Sequence, residues 1–129
     1  MQPAKSVETV LEEIISEEFG PDQRIRSVTI VSKSGLMIAG QPASIARPET
    51  FSAMTAIMFS AAETTKKEIV NEDLDRLVIF FKSTMVLISE LSPNLLIVVM
   101  ADKEANQESL IGKMGELVSR SKAELSWLR

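Results

Sequence analysis

Four short features of the chain hold side chains that could do chemistry. "SEE" at 16–18 and "NEDLD" at 71–75 bring carboxylates near one another, the raw material of general acid–base work. Glu17 and Glu18 fall on a helix end, and Glu72, Asp73 and Asp75 in a loop. Such clusters ordinarily cap helices or face solvent. "SKSG" at 32–35 has serine and glycine but lacks the GxxxxGK[ST] spacing that cradles phosphates, so it reads as a hairpin turn. Arg47, Arg76 and Arg120 could each meet a phosphate, yet no spacing selects one of them.

The chain has no histidine, cysteine or tyrosine. The commonest general base, the thiolate nucleophile and the phenolic acid are therefore missing together, and so are the usual zinc ligands. The expectation is a protein that is not an enzyme, with no catalytic residue, cofactor or metal. A net charge of −4 with scattered Lys and Arg gives no basic stripe for nucleic acid. Glu8, Glu12 and Glu13 interrupt any leader-like apolar stretch, and the uncharged runs are shorter than the roughly 20 residues of a membrane span. A soluble, cytoplasmic protein without membrane insertion is expected. With 129 residues, 45% hydrophobic and 25% charged, the chain reads as a single globular domain over 1–129.

The elements that would position these residues follow from periodicity. "SVETVLEEIISEEFG" has Val7, Val10, Leu11, Ile14 and Ile15 at helical spacing, Ser6 as N-cap and Gly20 beyond the end. "IRSVTIVS", "KSG" and "LMIAG" read as strand, hairpin turn and returning strand, with Gly35 supplying positive φ. "QPASIARP" is a loop with Pro48 in the first turn of the next helix. "RLVIFFKS", "TMVLISEL" and "NLLIVVMAD", separated by short breaks, predict an antiparallel meander. A last helix starts near Asn106 and buries Leu110, Met114, Leu117 and Val118, with Leu125 and Leu128 continuing the stripe. Gly112 and Gly115 within it point to close backbone packing or an irregular start.

The order is α-ββ-α-βββ-α. "LLIVVM" is apolar on both faces and so belongs at the sheet centre, which gives the strand order 2-1-5-4-3. Two features do not fit a self-sufficient domain. Leu77 to Phe81 form an edge strand apolar on both faces, protected only by Arg76 and Lys82 at its ends. In "TFSAMTAIMFSAAET", residues 50–64, the bulky groups Phe51, Met54, Ile57, Met58 and Phe59 span roughly 200° of the helix, while a sheet covers little more than about 100°. Ala53, Ala56, Ser60 and Ala61 would allow another helix to come close. A second copy, packed through this helix and the edge strand, would satisfy both features.

"VTIVSKSGLMIAG", "FSAMTAIMFSAAE" and "NLLIVVMAD" with the last helix resemble the Roadblock/LC7 family, which includes the dynein light chain Roadblock and bacterial MglB-like proteins. The similarity runs from about Val7 to Leu125, and Ser34–Gly35 stands where many members have Asp-Gly. The resemblance implies an α+β, profilin-like fold: a five-stranded antiparallel sheet between one central helix and two terminal helices. It also implies a homodimer, or a heterodimer with a paralogous subunit. Carried onto this chain, the contacts are Phe51, Met54, Ile57, Met58 and Ala61 on the helix, with Leu77, Ile79 and Phe81 on the pairing strand. The implied activity is non-catalytic: a scaffold that binds a Ras-like small GTPase and modulates its nucleotide state or location. Two other readings stay open, a dimeric adaptor without a GTPase and a small-molecule-sensing α/β domain whose seven methionines shape an adaptable cavity.

Overall fold

The computed structural model describes residues 5–40 and 45–125. Its elements are α1 (Val7–Phe19), β1 (Ile25–Ser32), β2 (Met37–Gly40), α2 (Pro48–Ile69), β3 (Leu77–Phe80), β4 (Thr84–Ser92), β5 (Leu95–Asp102) and α3 (Gln107–Glu124). The five strands form one antiparallel sheet in the order β2-β1-β5-β4-β3. The predicted α+β layout and strand order are both present. β2 and β3 are shorter than their apolar runs, so Leu36 and Phe81 fall just outside the strands. Leu128, expected to extend the last stripe, lies outside the described residues, as does part of the loop before α2.

β5 fixes the layering. Leu95 to Val99 are all buried, and alternate side chains enter different cores. On one face Ile97 and Val99 join Val28, Ile30, Met85 and Leu87 beneath α1 and α3. On the other, Leu96 and Val98 meet Val31, Val86, Ile88 and Phe59 of α2. Two helices thus cover one face and a single helix the other.

α1 opens at Ser6, whose hydroxyl accepts the Thr9 N–H, and buries Val10, Leu11, Ile14, Ile15 and Phe19. Its outer edge meets α3 through ion pairs from Arg120 to Glu17 and Glu18, and Lys113 reaches Asp22 just beyond it. Backbone bonding to Arg24, then the Lys113 charge, holds the Asp22 carboxyl below the usual carboxylate range. The hairpin between β1 and β2 turns at Gly35 with φ +98°, and a Cβ there would stand 3.3 Å from the Ala53 Cα of α2.

α3 corrects one expectation. It starts regularly, with the Asn106 side chain accepting the Ser109 N–H, and a Cβ at Gly112 or Gly115 would meet nothing within 4 Å. Neither glycine is required by packing within this chain, so each carries only its propensity cost. Gly115→Ala is therefore expected to raise unfolding stability by about 1 kcal/mol in urea titrations. Phe59→Ala, in contrast, should lower it by about 3–5 kcal/mol, because Phe59 is the bulky side chain that α2 sinks into the sheet.

Candidate functional site

α2 begins at Pro48, whose fixed φ suits a first helical turn, and continues through residues rich in alanine. Lys66 and Lys67 sit in its last turn, where their charge complements the helix dipole. The chain then leaves through Asn71 at φ 55°, its N–H donating to the Lys66 carbonyl. Lys66 also pairs with Asp73, which lowers the Asp73 carboxyl and raises the ammonium.

The side of α2 turned to the sheet is Ser52, Thr55, Ala56 and Phe59, spaced i, i+3, i+4, i+7. Three of these four are small, so the helix lies low over β1 and β2, where its tertiary contacts concentrate. Ser52 donates to the Pro48 carbonyl, which satisfies its buried hydroxyl. Thr29, on the same face of β1 as Val31, is fully buried with a hydroxyl that has no partner among the described residues.

The other bulky apolar residues point elsewhere. Met54 is 52% exposed and Ile57 60%, while Phe51 and Met58 are half-buried on the flank toward β3. Ala56, read from the sequence with the outward small residues, belongs to the inward face. Phe59 is thus the one large residue of the inward face, while Met54 and Ile57 turn outward.

The eight residues expected at an interface fall into two groups. Phe51, Met54 and Met58 surround an apolar cleft of about 180 Å³ with Ile79 and Phe81, and Leu77 packs into the same α2-side core as Ile79. Ile57 and Ala61 lie on the opposite flank of α2. There they line a shallower hollow of about 490 Å³ with Ala53, Ser60 and the hairpin residues Lys33 and Ser34. Between the two runs the outer ridge of the helix. The cleft also includes Thr55, Val86 and Met100, which the sequence reading did not identify. Alternation from the buried Val98 would have placed Met100 on this face, but its closeness to α2 depends on how the helix sits.

β3 explains its own two-sidedness. Leu77 and Ile79 face α2, Val78 packs into the α1 and α3 side, and Phe80 and Phe81 are each 55% exposed. Only β4 pairs with β3, so its outer edge has no strand beside it among the described residues.

The carboxylate-rich stretches are tied into surface ion pairs: Glu17 and Glu18 with Arg120, Asp73 with Lys66, and Asp75 with Arg76. Among the described residues no group of three His, Cys, Asp or Glu could hold a metal ion. No helix among them is long and apolar enough to cross a membrane.

The fold has counterparts among solved structures. A Roadblock/LC7 domain from Streptomyces avermitilis superposes with a TM-score of 0.78 at 19% identity, covering 89% of this chain and 97% of that one. MglB of Myxococcus xanthus gives 0.77 at 12% identity over 100% and 97% of the two chains. An MglB solved in a tetrameric arrangement gives 0.75 at 14% identity, over 95% and 96%. At these identities the likeness concerns the fold. Comparison with curated proteins found no match. The sequence itself matches the family model described as Roadblock/LC7 domain over residues 11–101, most of the chain, and the protein belongs to the Roadblock/LC7 domain family.

Proposed function

We propose that the chain is a non-catalytic dimeric platform, one domain over residues 1–129, that binds a Ras-like small GTPase and modulates its nucleotide state or location. The observation that carries the reading is the outward apolar ridge of α2 beside the open edge of β3. Met54 and Phe81 are each more than half exposed around the cleft that α2 and β3 share, and Ile57 is 60% exposed on the other flank of the same helix. Large apolar surface in one contiguous region marks an interaction site. A second copy is the economical occupant, because two-fold symmetry brings ridge to ridge and edge to edge in one step. The interface then comprises Phe51, Met54, Ile57, Met58, Ala61, Leu77, Ile79 and Phe81. A paralogous subunit with the same apolar pattern would fit the same surface.

The GTPase is supported by the family, and the likeness to MglB structures accords with it. Regulation without catalytic residues is consistent with the arginines of this chain. Arg76 pairs with Asp75 and Arg120 with Glu17 and Glu18, while Arg47 is exposed before α2 and no spacing selects it as a finger. The platform acts by differential affinity for the partner's nucleotide states, binding one arrangement of its switch loops better than the other.

Light scattering should give twice the 14.2 kDa chain mass for the wild type. Ile57→Glu should give the chain mass with an unchanged far-UV spectrum, since Ile57 is 60% exposed within one copy. A folded wild-type monomer at micromolar concentration would remove the dimeric reading. With the dimer in hand, nucleotide release and hydrolysis are followed on each Ras-like GTPase of the source organism. At least one should change severalfold with the wild type and revert with Ile57→Glu; if none responds, the protein is an adaptor.

A further inference from the structure

β2 closes the opposite end of the sheet from β3. Its inner edge pairs with β1 through Gly40–Thr29, Ala39–Ile30 and Met37–Val31, and the register break leaves Ile38 as an extra residue. Among the described residues no strand pairs with its outer edge, so alternate backbone N–H and C=O groups of Met37–Gly40 face outward. Beside this edge the first turns of α1 leave a cavity of about 400 Å³, lined by Glu8 and Glu12 on one wall and Met37, Ile38, Ala39 and Gly40 on the other.

The two carboxylates are one helical turn apart and share one wall. Neither has an ion-pair partner among the described residues; Lys5, the nearby cation, is bound to Glu13. Partial burial, then hydrogen bonding and repulsion from Glu8, pushes the Glu12 carboxyl up. The site thus combines an unfilled row of backbone partners with unneutralised negative charge and half-buried apolar side chains.

We propose that the outer edge of β2 accepts, as a sixth strand, an extended segment of a partner protein in which Lys or Arg alternates with aliphatic residues. Backbone pairing supplies the register. Successive side chains of an added strand point to opposite faces, so the basic ones enter the cavity toward Glu8 and Glu12. The aliphatic ones lie on the opposite face of the sheet. β2 has four residues, Met37–Gly40, which makes the contact short. The proposal is independent of the dimer and of the GTPase.

The test is an NMR titration of the full isotope-labelled chain with the peptide acetyl-Val-Lys-Val-Lys-Val-Lys-amide. Amide shifts should be confined to Met37–Gly40 and the first turns of α1. Affinity should weaken about tenfold in the Glu8→Gln/Glu12→Gln variant, the loss expected for two ion pairs of ordinary strength. Backbone N-methylation at alternate peptide residues should abolish binding, and added salt should weaken it. The proposal is overturned by any of four results: no binding at millimolar peptide, shifts centred elsewhere, equal binding of the glutamate counterpart peptide, or undiminished affinity in the double glutamine variant. Concentration-dependent shifts at Met37–Gly40 without peptide would assign the edge to a second copy of this chain, which also overturns it.

Discussion

Phe59 is the single bulky side chain by which α2 enters the core on its side of the sheet, and the surface of the molecule depends on that economy. The other inward residues, Ser52, Thr55 and Ala56, are small enough to set the helix close over β1 and β2. A helix held this low cannot also shelter the far half of the sheet face. Leu77 and Ile79 therefore remain only partly covered, and an apolar cleft opens along the flank. Had Met54 or Ile57 pointed inward, the helix would have stood higher and the ridge would have been polar. The exposed apolar surface is thus a geometric consequence of which residues were made small.

The asymmetry of the two layers has the same root. On the face under α1 and α3 the cluster is larger, with Leu11, Ile14, Leu87, Ile97 and Leu117 essentially inaccessible. That side supplies the apolar transfer energy that holds the domain together. The α2 face adds a smaller cluster, and among the described residues the hydroxyls of Ser27, Thr29 and, on α3, Ser121 are buried without a partner. A buried unpaired hydroxyl costs about 1–3 kcal/mol, a load the apolar burial of both layers has to offset. Stability is concentrated on one face and interaction surface on the other.

Much of this was legible from residue order. The run "LLIVVM" placed β5 at the centre because a strand apolar on both faces needs cover on both, and short breaks then forced the neighbouring strands. The two-sided character of residues 77–81 was equally plain, and the structure resolves it into Leu77 and Ile79 on one side and Val78 on the other. What residue order did not show was the seat of α2. Periodicity ranks faces by hydrophobicity, and here the sheet takes the less hydrophobic face, so Ala56 was grouped with residues that turn outward. Val86 and Met100 join the cleft through strand register and helix height together, neither of which a one-dimensional pattern carries. Gly112 and Gly115 misled for a different reason: a glycine in a helix signals a need for space, and no atom of the described residues occupies that space.

The close approach of Gly35 to Ala53 has a mechanical meaning. With 3.3 Å between the Ala53 Cα and the place a Cβ would take, the hairpin tip rests directly on the backbone of α2. The tip and the helix are thereby braced as one strut, and a load applied to either is passed to the other without a side chain to absorb it. Because the contact is with a backbone atom and residue 35 also holds φ +98°, a side chain at 35 is resisted whatever residue stands at 53.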